Sequence, residues 1–94
     1  MRVQATCLVQ EGDQPLKFNW KKDGKLLEES YNYKISQHDD WSTTIVIDKA
    51  SAEHSGNYTC EVTNPATISS TSAVLNVRGT VKFFSRLISV ILYI

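Results

Sequence analysis

Two histidines and two pairs of adjacent acids are the residues of this chain whose side chains could do chemistry. Two histidines bind zinc when they lie one helical turn apart, and neither His38 nor His54 has such a partner. Asp39-Asp40 and Glu28-Glu29 could supply calcium ligands or an acid pair, but solvated loop charges are the favoured interpretation. None of the four glycines lies in a loop that would cradle a phosphate. The sequence therefore predicts no enzyme, no metal site and no cofactor.

A second set of residues has the spacing of a fold rather than of a catalytic site. Cys7 and Cys60 lie 53 positions apart, Trp20 follows the first cysteine by 13 positions, and Tyr58 precedes the second by two. An antiparallel β-sandwich requires this set if one disulfide joins its two sheets beside a buried indole. Cysteines used in this way are not available as nucleophiles or metal ligands.

Short strands are the elements that must position these residues. Apolar and polar residues alternate from Val3 to Val9 and from Leu16 to Trp20, which is the period of a half-buried strand. Asp23-Gly24 is typical of a tight hairpin, and a weak strand is expected at Lys25–Leu27. The later strands are marked by apolar positions predicted to face inward: Tyr33, Ile35, Ile45, Ile47, Tyr58, Cys60, Val62, Ala73, Leu75 and Val77. Seven or eight short strands without a helical period predict an all-β sandwich.

Size and charge narrow the function classes. Ninety-four residues allow one domain at most. Residues 1–77 carry seven Lys+Arg and ten Asp+Glu, a net charge of −3, whereas residues 78–94 carry three cations and no acid. A net negative body without a basic stripe argues against nucleic acid as the partner.

The stretch from Val3 to Val77 resembles the intermediate-set (I-set) immunoglobulin domains of adhesion receptors of the Dscam (Down syndrome cell adhesion molecule) type. The motifs that carry the resemblance are Glu11-Gly12-Asp13-Gln14-Pro15, Phe18-x-Trp20-x-Lys22-Asp23-Gly24, Ser42-Thr43-Thr44-Ile45-Val46-Ile47, Gly56-Asn57-Tyr58-Thr59-Cys60 and Asn64-Pro65-Ala66. The resemblance implies an immunoglobulin-like two-sheet sandwich. It also implies a function in recognition, through homophilic or heterophilic protein contacts at the cell surface.

The resemblance also implies roles for single residues. Cys7 and Cys60 are expected to be bonded with Trp20 packed against the bridge, and Tyr58 is expected to form the tyrosine corner that fixes the turn into its strand. Ile45, Ile47 and Leu75 complete the expected core. His54 occupies a position where related domains usually carry aspartate, so an acid that often pairs with a strand arginine is missing. We expect this change to weaken one surface bond and to leave the core unchanged.

Two features of the predicted surface have functional interpretations. Asn57-Tyr58-Thr59 is an N-glycosylation sequon, and the alternative is an unmodified asparagine that belongs to the family's motif. Trp41 and His38 lie in a polar segment, and an exposed tryptophan there could anchor a protein interface. The alternative, which we favour, is that Trp41 caps the end of the sandwich or covers Tyr31 and Tyr33.

The expected disulfide bears on where the domain works. Closing a loop of this length stabilises a chain by about 4 kcal/mol in the loop-entropy treatment. Structural disulfides persist in oxidising compartments, so an extracellular location is expected. An intracellular structural domain of the titin or myosin-binding type, with unpaired cysteines, is the alternative. A count of free thiols distinguishes the two.

Both ends of the chain depart from the family pattern. Six residues precede Cys7, fewer than such a domain spends on its opening strand, so residues 1–78 are interpreted as an immunoglobulin domain that lacks its first strand. Ten of the fourteen residues in 81–94 are apolar. This tail (79–94) could be read-through sequence, a cut-off membrane segment, for which spanning takes about 20 apolar residues, or a β extension. Contact with a membrane is therefore expected only through a parent chain or through this tail. We expect residues 81–94 to lie outside the sandwich, although a bare sheet edge can capture a β-prone segment.

Overall fold

The computed structural model describes residues 2–78, 81–82 and 87–93, which form strands and one 3-10 turn. The chain order of these elements is β1 (Val3–Glu11), β2 (Lys17–Lys22), β3 (Lys25–Leu27), β4 (Lys34–Asp39), β5 (Ser42–Ile47), a 3-10 turn (Ala52–His54), β6 (Gly56–Thr63), β7 (Ile68–Leu75), β8 (Val77–Arg78), β9 (Val81–Lys82) and β10 (Leu87–Tyr93). Within these ranges, no helix is long and apolar enough to cross a membrane.

The strands form two four-stranded sheets and a small ribbon. The first sheet has the order β10-β1-β5-β4, the second sheet has the order β3-β2-β6-β7, and β8 pairs with β9. All pairings within the sheets are antiparallel except that of β1 with β10. The predicted all-β two-sheet sandwich is confirmed.

Alternating side chains from both sheets form the core. On β6, Tyr58, Cys60 and Val62 are buried, and the residues between them are more exposed. Each strand therefore contributes one apolar face to the space between the sheets, where burial of apolar surface supplies most of the stabilisation. The buried apolar residues are Val3, Cys7, Val9, Trp20, Ile45, Ile47, Tyr58, Cys60, Val62, Leu75 and Val77.

Two turns show how the local sequence directs the chain. Asp23 (φ 51°) and Gly24 (φ 84°) adopt the left-handed conformation that a two-residue hairpin requires, and Lys22 pairs with Lys25 across it. Asn64 organises the turn between β6 and β7, because its Oδ1 accepts hydrogen bonds from the N–H groups of Ala66 (2.9 Å) and Thr67 (2.8 Å). An asparagine side chain that accepts these backbone bonds stabilises the turn without a glycine.

The tail differs from its expected position. We expected residues 81–94 to lie outside the sandwich, but β10 runs parallel to β1 at the edge of the first sheet, with Val90 paired to Cys7. The physical reason is the edge itself: on the side away from β5, β1 carries backbone groups that a further strand can bind. β7 ends at Leu75, and β8 begins two residues later at Val77.

Candidate recognition surface

The predicted bridge and indole lie at the centre of the core. Cys7 and Cys60 are joined by a disulfide with Cα atoms 6.4 Å apart, within the range that the bond requires. Trp20 is the direct cross-strand partner of Cys60 and is 3% exposed. Its Nε1–H points at Thr43 Oγ1, 3.4 Å away on the opposite sheet. Ile45, Ile47 and Leu75 line the same core. These residues support the strands that carry the outer surfaces and do not themselves form a binding site.

Tyr58 ties the entry of β6 to the preceding 3-10 turn. Its hydroxyl donates a hydrogen bond of 2.6 Å to the carbonyl oxygen of His54, four residues upstream. Burial raises the pKa of the Tyr58 phenol well above its usual range, and the neighbouring Tyr33 adds to the effect. The contact is the one expected of a tyrosine corner.

His54 replaces the missing acid with a different contact. Its Nδ1 accepts a hydrogen bond of 2.9 Å from the backbone N–H of Ser51, which caps the 3-10 turn. The ring is 6% exposed and packs edge-on against Tyr33, with 5.7 Å between ring centroids. Nearby on β4, Lys34 Nζ lies 2.6 Å from Asp48 Oδ2. This bond lowers the pKa of the Asp48 carboxyl.

Trp41 caps one end of the sandwich. The Asp39 carboxylate accepts hydrogen bonds from the Trp41 N–H (2.8 Å) and from Ser42 Oγ (3.1 Å), and the first of these bonds lowers the pKa of Asp39 the most. The Trp41 carbonyl accepts a hydrogen bond from the Val9 N–H (2.9 Å), and the half-buried indole packs against the core. The alternative was that Trp41 covers Tyr31 and Tyr33. Tyr31 is 97% exposed and is therefore not covered, and the ring neighbours of Tyr33 are His54 and Tyr58.

His38 belongs to a row of hydrogen-bonding side chains on the outer face of the first sheet. Its Nε2 lies 2.7 Å from Thr44 Oγ1, which lies 3.2 Å from Thr6 Oγ1. The row crosses β4, β5 and β1. Thr44 is only 3% exposed because its neighbours cover it, whereas His38 and Ser36 are exposed. We call this surface the threonine-histidine face.

The outer face of the second sheet has a different character. Lys21 Nζ forms an ion pair with Glu61 Oε2 (3.1 Å), and Thr59 Oγ1 bonds with Ser72 Oγ (2.7 Å). Asn57, the sequon asparagine, is exposed on this face opposite Val74. Among the described residues, no group of three or more His, Cys, Asp and Glu side chains could hold a metal ion.

Comparison with known sequences identifies the family. The profile of the immunoglobulin I-set domain matches residues 2–77, which is most of the chain. The chain belongs to the immunoglobulin I-set family. This confirms the family resemblance of the sequence motifs and assigns the sandwich to the immunoglobulin fold.

Relatives of this I-set domain include cell adhesion molecules. The chain is 40% identical to the cell adhesion molecule Dscam2 of Drosophila melanogaster over 78 residues, which cover 83% of the chain and 4% of Dscam2. It is 35% identical to human cell adhesion molecule DSCAM over 82 residues, which cover 87% of the chain and 4% of DSCAM. The chain thus spans a small fraction of the length of these relatives.

Solved structures agree with this assignment. The Ig7 domain of Dscam1, isoform 9, superposes with a TM-score of 0.78 at 30% identity, over 81% of this chain and 80% of that one. The titin M3 domain superposes with a TM-score of 0.62 at 27% identity, over 80% and 90% of the two chains. The likeness to the Dscam domain is therefore closer than that to this titin domain.

Two contacts among the described residues were missed by sequence reasoning. The first is the His38–Thr44–Thr6 row, whose members lie on three strands that are separate in sequence. The alternation of β1 and β5 places Thr6 and Thr44 outward, so the register of the two strands would have revealed their contact. The second is the cap formed by His54, which its position three residues after Ser51 could have suggested.

Proposed function

We propose that this domain is an extracellular recognition module of a cell-adhesion receptor and acts by binding protein. The observation that supports this most strongly is the 40% identity to a cell adhesion molecule across 83% of the chain. The buried disulfide agrees with it, because such a bond persists in the oxidising environment outside the cell. Catalysis forms no part of the proposal.

The partner binds to the threonine-histidine face. This face presents the hydrogen-bonding groups of His38, Thr44 and Thr6, and Lys34, two positions before Ser36 on β4, is paired with Asp48. Interfaces typically deplete charge at their centre and keep hydrogen-bonding groups there. A homophilic contact, in which a second copy of the same face binds, is the first to be tested.

The test is bead aggregation with the full chain displayed at high density, which amplifies a weak contact by avidity. Ser36→Arg places a charge and bulk on the exposed threonine-histidine face and is expected to abolish aggregation. Ser70→Arg makes the same change on the exposed outer face of the second sheet and is the matched control. Equal aggregation of both variants would contradict the assignment of the face. Binding to a different cell-surface protein, with no self-binding, would make the contact heterophilic.

An intracellular structural role is the alternative, and the similarity to the titin M3 domain is the observation that supports it. The decisive difference is the state of Cys7 and Cys60, because a cytosolic domain keeps its cysteines reduced. The test is thiol titration of denatured protein from native tissue, with thiols blocked at lysis. No titratable thiol supports the extracellular function, and two thiols support the structural one.

A further inference from the structure

The Asn57 side chain is held outward on β6 and is not engaged. Its backbone N–H donates to Asp23 Oδ1 (3.0 Å), and its carbonyl accepts a hydrogen bond from the Asp23 N–H (2.8 Å). Gly56 permits this close approach, since a Cβ at that position would lie 2.8 Å from Asp23 Oδ2. The main chain at Asn57 is thus fixed from both sides, whereas its exposed amide forms no hydrogen bond within the described part of the chain.

The surroundings of Asn57 leave room for a bulky group. Its cross-strand neighbour is Val74, which is 66% exposed, and β7 is the outermost strand of the second sheet in the described ranges. Thr59, the third residue of the sequon, lies on the same outer face two positions along β6. The chain contains no other Asn-x-Ser/Thr sequence in which x is not proline.

We propose that Asn57 carries an N-linked glycan on the outer face of the second sheet. In the transfer step, the Asn57 Nδ2 forms a bond to the anomeric carbon of the first sugar of a lipid-pyrophosphate-linked oligosaccharide. The bond from that carbon to the pyrophosphate oxygen breaks, the lipid pyrophosphate leaves, and the amide nitrogen gives up one proton. No oxidation or reduction is involved.

The fold determines when this transfer takes place. In the folded domain β6 is paired on both sides, Thr59 Oγ1 is bonded to Ser72 Oγ, and Cys60 is in the disulfide. A sequon fixed in this way cannot bend into a transferase, so the glycan is added before β6 pairs. Once the domain is folded, the glycan projects from the second sheet, covers Val74, and leaves the threonine-histidine face open. The glycan rests on the extracellular location in the proposed function, because its transfer requires entry into the secretory pathway, and this last step rests on the proposed binding face as well.

The modification is tested on the full chain secreted from animal cells, by intact mass and by gel mobility before and after peptide-N-glycosidase. The wild type is expected to lose the mass of one glycan. Asn57→Gln and Thr59→Ala are expected to show no loss, and Thr59→Ser retains the glycan. Asn19→Gln, on the same outer face but outside any sequon, is the matched control and retains it. An unmodified wild-type chain, or a glycan that survives in Asn57→Gln, overturns the proposal.

The assignment of faces has its own test. Gln4→Asn creates an Asn-Ala-Thr sequon on the outer face of β1, beside the threonine-histidine face. The intact mass of the variant shows whether the new sequon is occupied. If it is occupied, bead aggregation is expected to be lost, whereas the wild type with its glycan at Asn57 is expected to aggregate. Aggregation that persists with the occupied new glycan overturns the open-face assignment and leaves the mass result for Asn57 intact. If the new sequon is unoccupied, Ser36→Arg is introduced into the chain that is glycosylated at Asn57. Loss of bead aggregation in that variant supports the open-face assignment, and aggregation that persists overturns it.

Discussion

Replacing Trp20 by alanine is the sharpest test of how this domain is held together. The indole is 3% exposed, is the cross-strand partner of Cys60 and reaches Thr43 on the opposite sheet. Removal of a buried aromatic ring costs about 3–5 kcal/mol, since the surrounding side chains relax only partly into the cavity. Thr43 still donates to the Ser36 carbonyl (3.1 Å), so the lost indole contact leaves no unpaired hydroxyl. The cost of the cavity therefore accounts for most of the expected loss of stability.

Trp41→Ala is the control, because it removes the same side chain from the edge of the core. Its ring is only half-buried and caps one end of the sandwich, so the expected loss is at most about 2 kcal/mol. Trp20→Phe separates the contribution of an aromatic ring at the central position from that of the rest of the indole. It retains an aromatic ring against the bridge and is expected to cost less than Trp20→Ala.

The assay is urea unfolding of the oxidised full chain, followed by far-UV circular dichroism so that loss of an indole does not remove the signal. With a slope of about 1.3 kcal/mol/M, the midpoint of Trp20→Ala is expected to fall by about 2–4 M relative to the wild type. Small domains have a free energy of unfolding of only about 5–15 kcal/mol. If the wild type lies at the low end of that range, Trp20→Ala will be partly unfolded without denaturant. Equal losses for Trp20→Ala and Trp41→Ala would refute the assignment of Trp20 as the central core residue.

Four further predictions concern the disulfide, the Tyr58 hydrogen bond, the pH dependence of stability and the tail. Reduction of the Cys7–Cys60 disulfide is expected to lower the free energy of unfolding by about 4 kcal/mol, measured by urea titration with and without reductant. Tyr58→Phe is expected to cost about 1–3 kcal/mol, since it leaves the buried His54 carbonyl unpaired. Because the pKa of Tyr58 is raised in the folded state, the phenol contributes stability below about pH 10 that is lost as the pH rises further. Stability should therefore fall above that pH in the wild type and less in Tyr58→Phe; parallel curves would contradict this. Deletion of residues 79–94 is expected to leave a cooperatively unfolding sandwich, since the family match ends at residue 77, and loss of cooperative unfolding would make the tail an integral strand.

Local sequence patterns were sufficient to predict the sandwich. Each inward position of β6 alternates with an outward one, and the cysteine, tryptophan and tyrosine occur at the spacing that the fold requires. Burial of these positions follows from hydrophobicity and period alone. The hairpin at Asp23-Gly24 was also predictable, because few residues other than glycine and asparagine or aspartate adopt its left-handed backbone.

Contacts between side chains distant in sequence were not predictable in the same way. His54 was interpreted as a lost acid, but its ring nitrogen accepts the Ser51 N–H and its face packs on Tyr33. A histidine can do this because imidazole, unlike a carboxylate, combines one acceptor with an apolar ring. The sequence alone shows which residue is present, and it does not show which of these two properties the neighbouring strands will use.

The position of β10 illustrates the same limit at the level of strands. The segment 87–93 lacks a clean alternation, and its composition did not reveal a partner. Its place depends instead on topology: β1 has a side away from β5 that a further strand can bind, and β10 begins with Leu87 beside Gln4 at the start of β1. A chain that enters at the start of β1 can extend along it only in the parallel direction, which is the direction observed. Backbone hydrogen bonding, which is independent of side-chain pattern, therefore accounts for a pairing that side-chain periodicity could not predict.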